Sequence, residues 1–423
     1  MKKLVFGTSL SAVVLMSTSA FGQQLFSENF DTDVTSSWTV NNSAVTDDAA
    51  DFFFDYGTVS GIPEAPHSAA GATPTRGLQL RANEFFNTFG GFSVSPTGLD
   101  LGTGDYALTF DWWANSIGPF PIGGSGSTQT STFGVLSSGT AAEEFGTSSV
   151  DGVMFAATGD GNSGADYRAY SSQVNFSYQV GTPAAGDPDL SMTNGKPVYF
   201  APDEDPGAGS NQRNNSNSYY SQFGGVTPPA AQTALFPQQT GTTNVGSVAF
   251  AWHAVEISKV GNVVTWTVDN LPIAQVDTTN FTTGSPLGSS LPTAGTNITF
   301  GQHDVNASSS SDPDAASLLF TLIDNIQVNT ISASITGDLN GDGFVGIADL
   351  NIVLGVWNQN VTAGDLLSGD PSGDGFVGID DLNTILGNWN AGTPPANSAA
   401  VPEPATLALL GLGGIAMLRR RRR

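Results

Sequence analysis

Aspartate, asparagine and glycine recur at a fixed spacing in two stretches of the chain, 338–349 and 370–381, that begin 32 residues apart. A hard cation such as calcium takes roughly six to eight oxygens, and a twelve-position loop supplies most of them from positions 1, 3, 5, 7, 9 and 12. In the first stretch Asp338, Asn340, Asp342 and Asp349 offer side-chain oxygens, the Phe344 carbonyl fills position 7, and Gly346 leaves position 9 to a water. Asp370, Ser372, Asp374 and Asp381 correspond in the second, with the Phe376 carbonyl and a water near Gly378. Position 6 is Gly343 or Gly375, where the chain must bend in a way that a Cβ opposes. Strings of Asp, Asn and Gly also form ordinary turns, but two copies at one offset point to two calcium ions. Asn340 is a better ligand than Ser372, so the first loop is expected to bind more tightly. Val345 and Val377, at position 8, could pair the loops as a short ribbon.

Helices must hold these loops. Leu350, Val353, Leu354 and Trp357 lie at i, i+3, i+4 and i+7, and Leu382, Ile385, Leu386 and Trp389 repeat the spacing, which predicts two helices packed through their apolar stripes. Two loop-helix units with Asp at position 12 and no entering helix resemble a type I dockerin, over residues 337–391. The resemblance implies a cohesin-type partner. At loop positions 10 and 11, where the best-known dockerins carry a Ser-Thr pair that touches cohesin, this chain has Ile347-Ala348 and Ile379-Asp380. That departure leaves the type of partner open, and the two faces need not bind alike.

Both ends of the chain read as addresses. Lys2 and Lys3 precede an apolar run from Leu4 to Met16 and small residues through Gly22, the layout of a secretory signal peptide over 1–22, with cleavage expected after Ala20 or Gly22. A membrane anchor is the other reading, but the run is short for one. At the far end Val401-Pro402-Glu403-Pro404 leads into an apolar stretch from Ala405 to Leu418 and then five arginines, Arg419 to Arg423. A full span takes about 17 to 25 residues, and the arginines would hold the end of this shorter stretch on the cytoplasmic side. The order resembles the PEP-CTERM sorting signal, here 401–423. That resemblance implies transient membrane contact, removal by an exosortase-type protease, and export to the cell surface or extracellular matrix; a plain tail anchor is the alternative.

Composition agrees with export. The 423 residues contain no cysteine, which excludes disulfides and thiolate chemistry, and carry a net charge of −25, which argues against nucleic acid and anionic membrane surfaces.

Between 25 and 331 the sequence is rich in Gly, Ser, Thr, Asn, Phe and Val, and short alternating runs recur between turn clusters, the pattern of an all-β sandwich or barrel. Tyr106, Leu108, Phe110 and Trp112 share one strand face, and runs on either side of Gly261-Asn262 predict a hairpin. Gly118 to Ser149, Gly181 to Gly195 and Pro202 to Thr243 read as polar or Pro-Gly-rich insertions. Leu25 to Phe30 and Leu318 to Val328 resemble the terminal strands of secreted jelly-roll and concanavalin-like domains, and Trp252 to Ile257 resembles a hairpin of laminin-G or lectin-like sandwiches. In such jelly rolls a structural calcium uses carboxylates like Glu28 and Asp324; the plainer reading is a surface glutamate and a turn aspartate.

Catalytic signatures are sparse. Glu143-Glu144 would point to opposite faces of a strand, Asp203-Glu204-Asp205 sits in a Pro-Gly loop, and His67, His253 and His303 share no metal-ligand spacing. Sugar recognition could use Trp38, Trp112, Trp113, Trp252 or Trp266, although tryptophans at alternating strand positions usually belong to a core. Trp113 is the candidate contact, since it lies opposite the Leu108-Phe110-Trp112 face.

The expected fold class is therefore mainly β: a large jelly-roll or concanavalin-like β-sandwich at 25–331, a linker at 332–336, a small α-helical dockerin-like calcium-binding module at 337–391, a linker at 392–400, and the sorting signal. The expected function is glycan or surface binding in cell-surface or matrix assembly. Its rival is a secreted polysaccharide-degrading hydrolase or lyase docked by its dockerin, which release of reducing ends would reveal.

Overall fold

The computed structural model describes residues 21–42, 48–69, 75–82, 90–121, 129–142, 151–159, 161, 166–171, 174–175, 198–201, 213–278, 295–304, 314–331 and 335–392. The chain divides into two compact units, one made mainly of 23–331 and the other mainly of 332–423.

The first unit is an antiparallel two-sheet β-sandwich. Its strands are β1 (Phe21–Glu28), β2 (Trp38–Asn42), β3 (Ala49–Asp55), β4 (Arg76–Arg81), β5 (Gly91–Pro96), β6 (Tyr106–Asn115), β7 (Gln129–Ser137), β8 (Val153–Thr158), β9 (Tyr167–Ser171), β10 (Val174–Asn175), β11 (Val198–Phe200), β12 (Trp252–Val260), β13 (Val263–Val268), β14 (Leu271–Asp277), β15 (Asn297–Asp304) and β16 (Phe320–Ile331). One sheet runs β11-β14-β13-β12-β6-β16-β4-β3, with β1 also paired to β16, and the other runs β10-β9-β8-β7-β15-β5-β2. The predicted hairpin is β12–β13, closed where Val260 faces Val263.

Alternation explains how the sheets meet, because a strand sends successive side chains to opposite faces. From β6, Tyr106, Leu108, Phe110 and Trp112 all enter the core, as the pattern predicted. They meet bulky side chains of the second sheet: Phe110 packs edge-on against Phe300 at 5.0 Å and Trp112 against Phe133 at 5.3 Å.

Two of the expected insertions are corrected. Within 118–149 lies β7, a full strand between β8 and β15; its Gln, Ser, Thr and Gly content disguised it, while Phe133 and Val135 reach the core. The described part of the third insertion, 213–243, turns back into the sandwich, where Tyr220 is fully buried and stacks on Tyr167 at 4.0 Å. It also carries a short helix, Ala230–Leu235. The stretch Gly181 to Gly195 lies outside the described residues.

Two nine-residue helices follow in the second unit, Ile347–Gly355 and Ile379–Gly387. Leu339, Val345, Val353, Val377 and Ile385 form its core, with Leu350 and Leu382 packed alongside. The predicted stripes are thus only half used. Leu354 and Leu386 are 51% and 52% exposed, and Trp357 and Trp389 are 40% exposed each, because a core this small reaches only the i and i+3 members.

Ribbon pairing also differs from expectation. The loops do not pair with each other: Val345 exchanges backbone hydrogen bonds with Asn390 and Ala391, and Val377 does so with Asn358 and Gln359. Each loop is held by the segment that follows the other unit's helix.

Candidate functional site

In the second unit, the aspartates at loop positions 1 and 12 organise the backbone. Asp338 accepts the N–H groups of Gly341 and Gly343, both at 2.8 Å, and Asp349 accepts those of Leu339 at 2.8 Å, Asn340 at 3.2 Å and Gly346 at 2.8 Å. The second loop repeats this: Asp370 accepts from Gly373 and Gly375, and Asp381 from Ser372 and Gly378. Asp349 and Asp381 also sit in the first turn of each helix, where a carboxylate meets the positive end of the helix dipole. Gly343 and Gly375 take φ values of 80° and 81°, the left-handed geometry that motivated glycine there.

The two loops are not equal. Asp370, Asp374 and Asp381 each place a carboxylate oxygen within 4.8 Å of the others, and among the described residues no other such group of three occurs. Asp338, Asp342 and Asp349 are therefore spread more widely. Ser372 gives its hydroxyl to Asp370 at 3.0 Å, and Asn340 gives its amide to Asp342 at 3.0 Å. Burial raises the Asp338 carboxyl, and the N–H groups of Gly343 and Gly341 offset this only in part. Burial also raises Asp370, but hydrogen bonds from Gly364, Gly375, Ser372 and Gly373 outweigh it and leave the group more acidic than usual. Carboxyl oxygens and main-chain carbonyls, such as those of Phe344 and Phe376, are the donor types that a hard cation takes.

The sandwich contains a second polar constellation. Asp111 of β6 and Asp324 of β16 face each other across the strands on the side away from the core. Asp111 is fully buried and accepts the backbone N–H of His67 at 3.1 Å and the side-chain amide of Asn325 at 2.9 Å, while its other oxygen lies 2.7 Å from His67 Nδ1. Asp324 accepts from the Tyr56 hydroxyl at 2.9 Å and from the Asn325 N–H at 2.7 Å. Burial, together with the charges of Asp111 and Asp31, pushes its carboxyl up to about 8 against the hydrogen bonds from Tyr56 and Asn325. Asn325 lies at the irregularity between Asp324 and Gln327 with φ 52°, a conformation that asparagine tolerates better than most residues. His67 is 64% exposed at its side chain. Nothing local announced this network: His67 and Asp111 are 44 positions apart, and Asn325 and Asp111 are 214 apart.

Other expectations are corrected. Glu28 accepts the N–H of Phe30 at 2.9 Å, and Asp324 is engaged by Tyr56 and Asn325. Trp113 is only 2% exposed, because Phe250, Phe120 and Ile62 roof the outer sheet face over it. Trp38, Trp112 and Trp266 are buried as well, and Trp252 is half-buried with its indole N–H on the Pro63 carbonyl at 2.7 Å. His253 is packed between Trp112 and Phe223 and bound to Asp269 at 2.7 Å, a structural residue. Burial lowers His303 to about 3, with Arg168 adding to the effect. Glu143-Glu144, Asp203 to Asp205, residues 1–20 of the expected leader and the tail from Val401 lie outside the described residues, while Phe21 and Gly22 open β1.

These features define an antiparallel β-sandwich protein with a small two-helix, acidic-loop unit. Residues 400–423 match the PEP-CTERM protein-sorting motif. No curated protein matches the chain. Solved structures similar to it include a protein with galectin-like fold from Bacillus subtilis, at 8% identity over 73% of this chain and 97% of that one, with a TM-score of 0.33. The metal-free carbohydrate recognition domain of Emp46p is similar at 8% identity, covering 73% and 97%, with a TM-score of 0.33. A beta-glucanase of Bacillus licheniformis is similar at 9% identity, covering 72% and 97%, with a TM-score of 0.31. Among the described residues no helix is long and apolar enough to cross a membrane.

Proposed function

We propose that the chain is an exported, calcium-binding glycan- or surface-contact protein of the cell surface or extracellular matrix. Its sandwich makes the contact, and its dockerin-like module at 337–391 holds two calcium ions and offers a face to a cohesin-type partner. Its terminal signal passes through the membrane-bound stage at which an exosortase-type protease acts. The observation that carries the calcium reading is the convergence of Asp370, Asp374 and Asp381 within 4.8 Å. Asp338, Asn340, Asp342 and Asp349, with the Phe344 carbonyl, would hold one ion, and Asp370, Ser372, Asp374 and Asp381, with the Phe376 carbonyl, the other. Calcium would supply a charge that cross-links the loop oxygens; the chain's own N–H groups hold the position 1 and 12 carboxylates in the loops.

Calorimetric titration of the full chain with calcium tests this. Two bound ions are expected, and Asp349→Asn or Asp381→Asn should each remove one. Absence of any calcium-dependent heat, or unchanged stoichiometry in both variants, would overturn it.

A further inference from the structure

The outer face of the larger sheet carries a row of polar side chains in strand register. Thr267 of β13 faces Glu256 of β12, Glu256 faces Thr109 of β6, and Thr109 faces Gln327 of β16. Strands lie about 4.8 Å apart, so the row spans roughly 14 Å across four strands. Thr267, Glu256 and Thr109 are partly exposed and Gln327 is exposed. The inward neighbours Leu108, Val255, Ile257, Ile326 and Val328 are all core, which fixes the row outward. Two positions further along β6, about 7 Å away, Asp111 holds His67 at the edge of this floor.

Glu256 is the unusual member. A carboxylate in the middle of a sheet normally finds a cation or an N–H when burial removes its water. Burial raises its pKa, and among the described residues no hydrogen bond or ion pair offsets it. Its row neighbours Thr109 and Gln327 likewise spend their side chains on no hydrogen bond among the described residues. Thr267 makes only a long contact, its hydroxyl 3.5 Å from the Glu256 carbonyl, and keeps its own lone pairs. The row therefore presents a carboxylate, two hydroxyls and a carboxamide at strand spacing, and among the described residues most of their hydrogen-bonding capacity is unused.

We propose that this row, with His67 at its edge, is the contact site for a neutral, hydroxyl-rich polysaccharide lying across the strands. The proposal rests on the glycan-contact reading above and gives it a place. Hydroxyls of the polymer donate to Glu256, Thr109 and Thr267 complete the ladder, and Gln327 both donates and accepts. An anionic polymer is disfavoured, since the row holds no lysine or arginine and the chain carries −25. Within the row recognition runs through hydrogen bonds rather than ring stacking, because none of its four side chains is aromatic.

Affinity electrophoresis of the full chain in gels containing hydroxyethyl cellulose, xyloglucan, galactomannan or laminarin, with alginate as the anionic control, tests it. Retardation by at least one neutral polymer is expected, with the dissociation constant raised at least tenfold in Glu256→Gln and in Gln327→Ala. Thr109→Val keeps the shape of the floor and should weaken binding with an unchanged melting temperature, so loss of fold is told apart from loss of contact. If the wild type is retarded and all three variants match it, this site is wrong while the glycan reading stands. No retardation by any neutral polymer, or retardation by alginate alone, overturns both the site and its ligand class.

Discussion

Replacing Asp324 should abolish a pH dependence of stability that the sandwich otherwise carries. Burial, with Asp111 directly opposite and Asp31 nearby, pushes the Asp324 carboxyl up to about 8 in the folded state, from an ordinary value of 3.8. The folded chain therefore takes up a proton that the unfolded chain releases. Stability from this group is complete below about pH 4, falls as pH rises, and has levelled off above about pH 8. Each tenfold fall in proton concentration across that range removes about 1.4 kcal/mol, so the interval from pH 5 to pH 8 sets a ceiling near 4 kcal/mol. Local relaxation and water entry reduce such penalties, and about 2 kcal/mol is the expected loss. Asp324→Asn keeps the shape and can still accept from Tyr56 but binds no proton. Urea unfolding at pH 5, 6, 7 and 8, followed by tryptophan fluorescence with chelator present, should show the wild type losing stability relative to the variant by that amount. Asp111→Asn should move the wild-type loss to lower pH, since the opposing charge is gone. A difference between wild type and Asp324→Asn that stays flat across the interval would refute the reasoning.

Trp113→Ala should lower sandwich stability by about 3–5 kcal/mol in urea unfolding, the cost of emptying a buried aromatic site, rather than merely weaken a surface contact. Asp374→Asn should weaken calcium binding more than Asp342→Asn, since the second loop has its three carboxylates already converged; calorimetry showing the reverse would restore the order expected from Asn340 and Ser372. Ile385→Ala, at a fully buried position of the small core, should cost about 2–5 kcal/mol in thermal unfolding of that unit, with part recovered by added calcium.

Strand faces were legible because burial imposes a period of two: Tyr106, Leu108, Phe110 and Trp112 alternate with outward residues and enter the core as a set. β7 was not legible, because a strand between two others needs few large side chains, and Gln129–Ser137 spends its positions on Ser, Thr and Gly around Phe133 and Val135. Trp113 shows the limit of the alternation argument. Alternation gives its outward direction, but whether an outward face meets water depends on distant roofing residues such as Phe120 and Phe250. The acidic loops announced themselves because all their donors lie within twelve positions. The Asp111, Asp324, His67 and Tyr56 network left no local pattern, since a side-chain hydrogen bond joins Tyr56 and Asp324 across 268 positions.

The repeat in the second unit is one of sequence, and the fold does not treat it as two separable pieces. Val345 takes its ribbon partners from Asn390 and Ala391, which follow the second helix, while Val377 takes its partners from Asn358 and Gln359, which follow the first. Leu339, Val345, Val353, Val377 and Ile385 then share one core. Removing either loop-helix half would strip the ribbon from the remaining loop and open half of the core at once. Anything that orders one loop must therefore also order the segment that clamps the other, so the two acidic centres are coupled through backbone and core even though their loops do not touch as a pair. The exposed members of the stripes, Leu354, Trp357, Leu386 and Trp389, follow the same logic. They are spare because closure is achieved by exchange of ribbons, and duplication of the sequence duplicates the apolar surface left over.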